Sequence, residues 1–463
     1  MGLGGTSLIN ANVFLECDKR TLALPAWPPE LRKDPNALDP YYARAAEMLQ
    51  PTPYPDDYPL LKKLSVLEKQ AEALGQKENF YRVPQTTFFR NGLNNVGVEM
   101  KASTGSGQDC TGLSGNGDIL SFGYNTEEIV NGVGRAKPST ESPIGPAITG
   151  VIDNRNGKAS HNVLDDYVIQ EGSIPEALAP LIQSMLEMLP GKRNPDTFTA
   201  KDQLRQLLSS TETRFLGPYS KGGSINRTQT YLIMSHDSNE AFVSLEDDKL
   251  HLQFKGVGRT EHVQKLNTIL AKATSAIGGT LINCPFYAAF NQQEEITVHP
   301  LGGAIMSSDG TGRSGVTNHL GQVFSGEDSE VYGGLICVDG SVISTSLGVN
   351  PFATITALAE RSVDAIAKDR AYQIDMLTKN GKLDLFGKPA KSVPLTPGMM
   401  NAQKSMEKST KSCGVQFTEI MDGHIHIGGN IGDYTIAEKV AKGSSSSARL
   451  YLSVTTGNTR NRA

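Results

Sequence analysis

The sequence predicts an α/β protein of the α+β kind: an antiparallel sheet with helices, flanked by further helical and strand segments. Three observations carry that class. Apolar residues recur at helical spacing in several separate runs. Between residues 228 and 254 the period changes to two, with a charged turn in the middle. A stretch rich in Lys, Pro and Gly at 373–411 then separates this body from a C-terminal segment that alternates again.

The elements follow in order. Asp39-Pro40 reads as a helix start, a capping carboxylate with proline in the first turn, and Tyr41 to Leu49 as the helix. Leu60, Leu64, Leu67, Ala71 and Leu74 line one helix face, which Gly75 ends; the stripe reads as an ordinary amphipathic helix. Leu178, Leu181, Ile182, Met185, Leu186 and Leu189 make another helix, stopped by Pro190-Gly191. Tyr231 and Ile233, then Phe242, Leu245, Leu250, Leu252 and Phe254, bracket a Glu246-Asp247-Asp248-Lys249 turn and predict antiparallel strands. Val263, Leu266, Ile269, Leu270 and Ala273 predict a helix closed by Gly278-Gly279. Leu335 to Val338 reads as a short buried strand that ends in Asp339-Gly340. After Asn350-Pro351, the positions Phe352, Ile355, Leu358, Ala359, Val363 and Ile366 predict a helix to about Arg370.

Composition narrows the function. Of 463 residues, 38% are hydrophobic, the balance of a globular chain rather than a disordered one. The 44 basic and 49 acidic residues are interspersed and leave a net charge of −5, so there is no basic face for nucleic acid. No stretch approaches about 18 uncharged apolar residues, so no membrane span is expected. Five scattered cysteines (Cys17, Cys110, Cys284, Cys337 and Cys413) form no Cys-x-x-Cys pair. With no signal-peptide pattern after Met1, they predict an intracellular, cytoplasmic protein. Nothing in the sequence sets the oligomeric state.

The chemistry-bearing residues crowd into one region. His299-Pro300-Leu301-Gly302-Gly303 holds an imidazole beside a proline and a glycine pair, a constrained backbone that suits a base meeting a hydroxyl. Asn350 stands at a helix start, where unpaired N–H groups and the helix dipole stabilise negative charge. Asp339 ends a strand in an Asp-Gly turn and is placed to bond a hydroxyl or cap the backbone. Taken singly, His299 also reads as a satisfied turn histidine, Asn350 as a plain cap and Asp339 as a plain turn residue.

Together, the run from His299 through Asn350-Pro351-Phe352-Ala353-Thr354-Ile355-Thr356-Ala357-Leu358-Ala359-Glu360-Arg361 resembles the signature of the glucose–methanol–choline (GMC) oxidoreductases, in their cholesterol oxidase-like branch. Gly2-Leu3-Gly4-Gly5-Thr6-Ser7-Leu8-Ile9-Asn10-Ala11-Asn12 resembles that family's glycine-rich segment under the flavin. Ile169-Gln170-Glu171-Gly172-Ser173-Ile174-Pro175 is similar to the segment with the proton-moving glutamate of cholesterol oxidases. The resemblance implies a flavoprotein of steroid metabolism: FAD as cofactor, a small apolar alcohol as substrate, and hydride passed to FAD and on to oxygen or another acceptor. It implies His299, Asn350 and Glu171 as catalytic residues, with Glu171 a substrate-side base or, equally, a structural carboxylate. Gly4, Gly5, Ser7, Asn10, Asn12, Asp339, Gly340, Asn350, Pro351 and Phe352 would line FAD.

The same resemblance divides the chain into a partial FAD-binding segment (1–112), a substrate-binding domain (113–294), a C-terminal FAD-binding and catalytic segment (295–372), a linker (373–411) and a small β-rich C-terminal module (412–463). The family opens on a strand, a Gly-x-Gly-x-x-Gly turn and a helix that hold the ADP part of FAD, a unit the chain as written does not show. Asp109-Cys110-Thr111-Gly112 also runs directly into Leu113-Ser114-Gly115-Asn116-Gly117-Asp118, two words that the family separates. The expectation is therefore a truncated, incomplete FAD domain that holds FAD poorly. The rival expectation is a non-catalytic remnant that binds an apolar ligand without flavin.

Two motifs lead elsewhere. Gly310-Thr311-Gly312-Arg313-Ser314-Gly315 follows no apolar strand and is rejected as a nucleotide turn. His424 and His426 share a strand face, but no carboxylate or cysteine joins them at ligand spacing, so no metal is expected.

Overall fold

Val168–Gly172 and Gln229–Met234 are buried along nearly their whole length and form the two middle strands of a six-stranded sheet. The structure, a computed structural model, describes residues 11–90, 93–95, 110–135, 142–155, 161–194, 196, 198–246, 249–253, 260–283, 297–372, 416–424 and 447–455. The helices are α1 (Lys19–Leu22), α2 (Pro29–Arg32), α3 (Asp39–Leu49), α4 (Lys62–Ala73), α5 (Ala179–Met188), α6 (Ala200–Leu216), α7 (Thr260–Ser275) and α8 (Phe352–Asp369). The strands are β1 (Phe80–Arg82), β2 (Phe88–Arg90), β3 (Leu93–Asn95), β4 (Cys110–Leu113), β5 (Ile119–Tyr124), β6 (Gly150–Asp153), β7 (Val168–Gly172), β8 (Gln229–Met234), β9 (Ala241–Glu246), β10 (Lys249–Gln253), β11 (Thr280–Asn283), β12 (Gln322–Phe324), β13 (Val331–Ile336), β14 (Gln416–His424) and β15 (Ser447–Thr455).

The main sheet runs β1-β6-β7-β8-β5-β11, and every neighbouring pair is antiparallel. Its two faces differ because successive side chains point opposite ways. Ile152, Ile169, Tyr231 and Ile233 pack against Leu67 and Ala71 of α4 and Val263, Leu266 and Leu270 of α7. On the opposite face, Val151, Val168 and Met234 pack against Val13 and Phe14, Leu347 and Val349, and Ala353, Ala357 and Leu358 of α8. Full burial of each of the larger aliphatic and Phe side chains contributes roughly 1.5–3 kcal/mol, so the segment leading into α8 is fixed by its core contacts.

The start signal at Asp39-Pro40 located α3, and periodicity located α4, α5, α7 and α8, to within a few residues; Gly75 (φ 70°) supplies the left-handed residue that follows α4. Three local expectations are corrected. Leu38, not Asp39, occupies the cap of α3, and Asp39 instead pairs with Lys19 at 2.6 Å. Pro351, not Asn350, is the cap residue of α8. The strand around Leu335 is not buried: among the described residues β13 pairs only with β12, and Leu335 is 49% exposed.

Ile9–Ile374 forms one compact unit. The boundary expected at 112/113 falls inside β4, whose last residue is Leu113; that at 294/295 lies outside the described residues, as does the linker 373–411. The expected β-rich module is represented by the antiparallel pair β14–β15, in register from Gln416 opposite Thr455 to His424 opposite Ser447. This hairpin belongs to a second unit. Among the described residues no group of His, Cys, Asp and Glu could hold a metal ion. No helix there is long and apolar enough to cross a membrane.

Candidate active site

Five residues between β4 and β5, Ser114-Gly115-Asn116-Gly117-Asp118, form a buried turn around which the site is built. Asn116 (φ 58°) and Gly117 (φ 56°) are both left-handed, the conformation that Asn and Gly accept most readily. Nothing larger than glycine fits at 117, because an added Cβ would lie 2.5 Å from Ser235 Oγ. Beneath the turn, Asp237 accepts from Ser114 Oγ (2.8 Å) and Gly115 N–H (2.7 Å). Burial pushes the Asp237 carboxyl above its usual value, and the hydrogen bond from Ser114 and those from backbone N–H groups oppose that rise.

The turn grips the histidine segment. Ser114 and Leu301 exchange both backbone hydrogen bonds, at 2.9 and 3.0 Å. Asp118, fully buried, accepts from Val298 N–H at 2.9 Å and lies 2.9 Å from Nδ1 of His299. A carboxylate can only accept, so Nδ1 carries the proton and Nε2 of the neutral ring is left as an acceptor. The imidazole is 16% exposed while its carboxylate partner is 0% exposed, so the pair has a buried end and an open end.

The turn also grips the asparagine segment. Leu347 N–H donates to Asn116 Oδ1 (2.8 Å), and Asn116 Nδ2 donates to Val349 O (2.7 Å). Buried Asn350 follows directly, and its Oδ1 accepts from Gln170 Nε2 of β7 at 2.6 Å. Its side chain therefore does not cap α8. His236, also buried, bonds Ser346 Oγ through Nδ1 (3.3 Å), and its ring leaves no room for a Cβ at Gly348.

The other expected cofactor residues divide in three. Phe352 packs edge-on to Phe14 with ring centres 6.2 Å apart, which brings it to the segment that follows Asn12. Gly340 O accepts from Gly302 N–H at 3.1 Å, so the His299 segment and the Asp339-Gly340 turn lie side by side. The exposed Asp339 carboxylate caps its own turn through Ser341 N–H (2.9 Å). Gly4, Gly5, Ser7 and Asn10 lie outside the described residues.

Glu171 is not brought to this site. Adjacent strand residues face opposite ways, so Gln170 takes the side of Asn350 and Glu171 the side of α4. There its carboxylate, 0% exposed, accepts from Lys63 Nζ (3.1 Å), Thr149 N–H (2.7 Å), Gly150 N–H (2.8 Å) and the Thr149 hydroxyl. Burial pushes the Lys63 amine down, and the Glu171 charge opposes that shift. A carboxylate so engaged, paired with a buried lysine, has a structural explanation.

Asn116, Asp118, Gln170 and Asp237 are the residues that sequence reasoning missed. The one available signal was the Asn-Gly-Asp word itself, a turn sequence with a carboxylate directly before a strand.

Residues 259–359, which contain both His299 and Asn350, match the family model of GMC oxidoreductase. The chain is 28% identical over 260 residues to a cholesterol oxidase of Mycobacterium tuberculosis, covering 51% of this chain and 39% of that protein. It is 38% identical over 86 residues to a cholesterol oxidase of Acinetobacter baumannii, covering 19% of this chain and 12% of that protein. The chain thus spans less than half the length of these curated relatives. A solved FAD-dependent oxidoreductase from Chaetomium thermophilum aligns over 80% of this chain and 86% of its own at 13% identity, with a TM-score of 0.43, too distant to bear on the site. By the match over 259–359 and its cholesterol oxidase relatives, the chain is similar to the glucose–methanol–choline oxidoreductases.

Proposed function

We propose that this chain forms the substrate-facing and flavin-facing part of an FAD-dependent oxidoreductase that oxidises the CH–OH group of an apolar, sterol-like alcohol. The observation that carries this reading is the Asp118–His299 pair: a buried carboxylate fixes Nδ1 and leaves Nε2 as a proton acceptor at a partly open position. In the proposed reaction the hydroxyl proton goes to Nε2 of His299 as hydride leaves the carbinol carbon, and the C–O bond becomes a carbonyl. Asp118 stabilises the imidazolium that forms. The amide of Asn350, held by Gln170 on its Oδ1 side, keeps its NH₂ for the substrate oxygen or the cofactor.

FAD, when bound, supplies the hydride acceptor and returns the electron pair to oxygen or another acceptor. The residues present fit such a group. Among the described residues, Gln170 Oε1 and both side-chain amide atoms of Gln85 are buried without hydrogen-bond partners, an arrangement that a heteroaromatic ring with N–H and C=O edges relieves. Gln170 adjoins Asn350, and Gln85 pairs with Val13 beside Asn12. Asn12, Asp339, Gly340, Asn350, Pro351 and Phe352 are the described residues proposed to line it, with Gly4, Gly5, Ser7 and Asn10 completing the set. The sterol assignment is supported by the two cholesterol oxidase relatives.

The test is anaerobic mixing of the FAD-loaded protein with cholesterol, followed by flavin absorption. Bleaching of the oxidised flavin and appearance of the ketone are expected. A loaded protein whose flavin stays oxidised with sterols and with other secondary alcohols contradicts the proposal.

A further inference from the structure

We infer that Asn116 is a positioning residue that sets the placement of the Asn350 amide relative to the His299 imidazole; the catalytic meaning of that placement rests on the function proposed above. The inference comes from one buried turn that bonds both site segments. His299 is held through Asp118, and the chain before Asn350 is held through Asn116, only two residues earlier in the same turn. Asn116 bonds Leu347 N–H and Val349 O with the two ends of one amide. Those partners dictate its orientation, because the N–H can only donate and the carbonyl can only accept. The bonds imitate the exchange between paired strands and hold the three residues that lead into Asn350.

The turn itself has little freedom to follow a shift on either side. Asn116 N–H is tied to Ser114 Oγ (2.9 Å), and Asn116 O accepts from Ser235 N–H (3.2 Å). Ser235 Oγ in turn donates to Gly117 O (2.9 Å). Asn116 is 0% exposed, so water does not replace its side-chain bonds when they are removed. The left-handed backbone makes the test clean. Asn116→Gly keeps a residue that accepts φ 58° and removes only the amide.

The experiment compares Asn116→Gly with Asn125→Gly. Asn125 is likewise buried and left-handed (φ 55°), but it holds Gln206 of α6 rather than the Asn350 segment. Hydrogen exchange of the Leu347 amide in the purified protein is the first readout, and it needs no turnover. It is expected to quicken about tenfold in Asn116→Gly, the effect of one lost buried hydrogen bond, and to stay at the wild-type rate in Asn125→Gly. In the FAD-loaded enzyme, Asn116→Gly is expected to lower kcat about tenfold with KM within about twofold, while Asn125→Gly changes neither. Unchanged Leu347 exchange in Asn116→Gly overturns the clamp. Altered exchange with wild-type kcat overturns the positioning role. Wild-type protein that turns over no alcohol refutes the proposed function instead, and the exchange result then still decides the clamp.

Discussion

Gln170 Nε2 donates to Asn350 Oδ1 at 2.6 Å, joining the middle of the sheet to the residue before the cap of α8. Both groups are buried, so water is a poor substitute for the bond. Gln170→Ala is expected to lower kcat about three- to tenfold with little change in KM, the effect of freeing one amide that one hydrogen bond had oriented. Steady-state kinetics on the FAD-loaded enzyme checks this. A rise in KM at constant kcat would mean that Gln170 serves binding alone.

The neighbouring Glu171 should behave differently, because it faces Lys63 rather than Asn350. Breaking a buried ion pair by removing one charge costs roughly 3–5 kcal/mol. Glu171→Gln is therefore expected to destabilise the fold by about that amount, and Lys63→Met in the same chain to recover much of it. The protein that remains folded should keep the wild-type kcat. Urea unfolding and active-site-normalised kinetics separate these effects.

The same lysine gives a pH dependence. Burial lowers the Lys63 pKa below its ordinary 10.5, so the unfolded chain binds more protons between the lowered value and 10.5. Its contribution to stability therefore rises with pH across that alkaline window, and below the window the burial cost is paid in full. The difference in unfolding free energy between wild type and Lys63→Met/Glu171→Gln should shift in favour of wild type as pH rises through the window. A difference independent of pH would show that Lys63 is not perturbed.

The hairpin β14–β15 belongs to a different unit from Ile9–Ile374. Removing residues 375–463 is expected to leave the melting temperature of the main unit within about 1–2 °C, a change of about 1 kcal/mol for a unit of this size. Calorimetry of the shortened chain tests it, and a collapse of the transition would make the hairpin an integral layer.

What the sequence disclosed follows from how local each signal is. The runs at 62–73 and 352–369 were legible because one apolar face meets the core. Helix α6 was not, because its pattern is inverted. Its buried side carries Gln206, Ser209 and Thr213, whereas Leu204, Leu207, Leu208 and Phe215 are exposed. Polar bonds hold it, among them Gln206 to Thr280 and Ser209 to Asn125. Periodicity of apolar residues cannot register that. His299 and Asn350 stood out through rare local words. Asp118, Asn116 and Gln170 did not, since their partners lie 181, 233 and 180 residues away and only the folded sheet brings them together.

The Asp118–His299 pair is the centre of the account, and His299→Ala in the FAD-loaded protein tests it most directly. A positioned acid or base contributes about 10²- to 10⁴-fold. The rate of flavin reduction by alcohol, followed in single-turnover mixing, is expected to fall by that factor while alcohol affinity changes less than about threefold. A reduction rate within about threefold of wild type would show that His299 is a turn residue and that the proton leaves by another route.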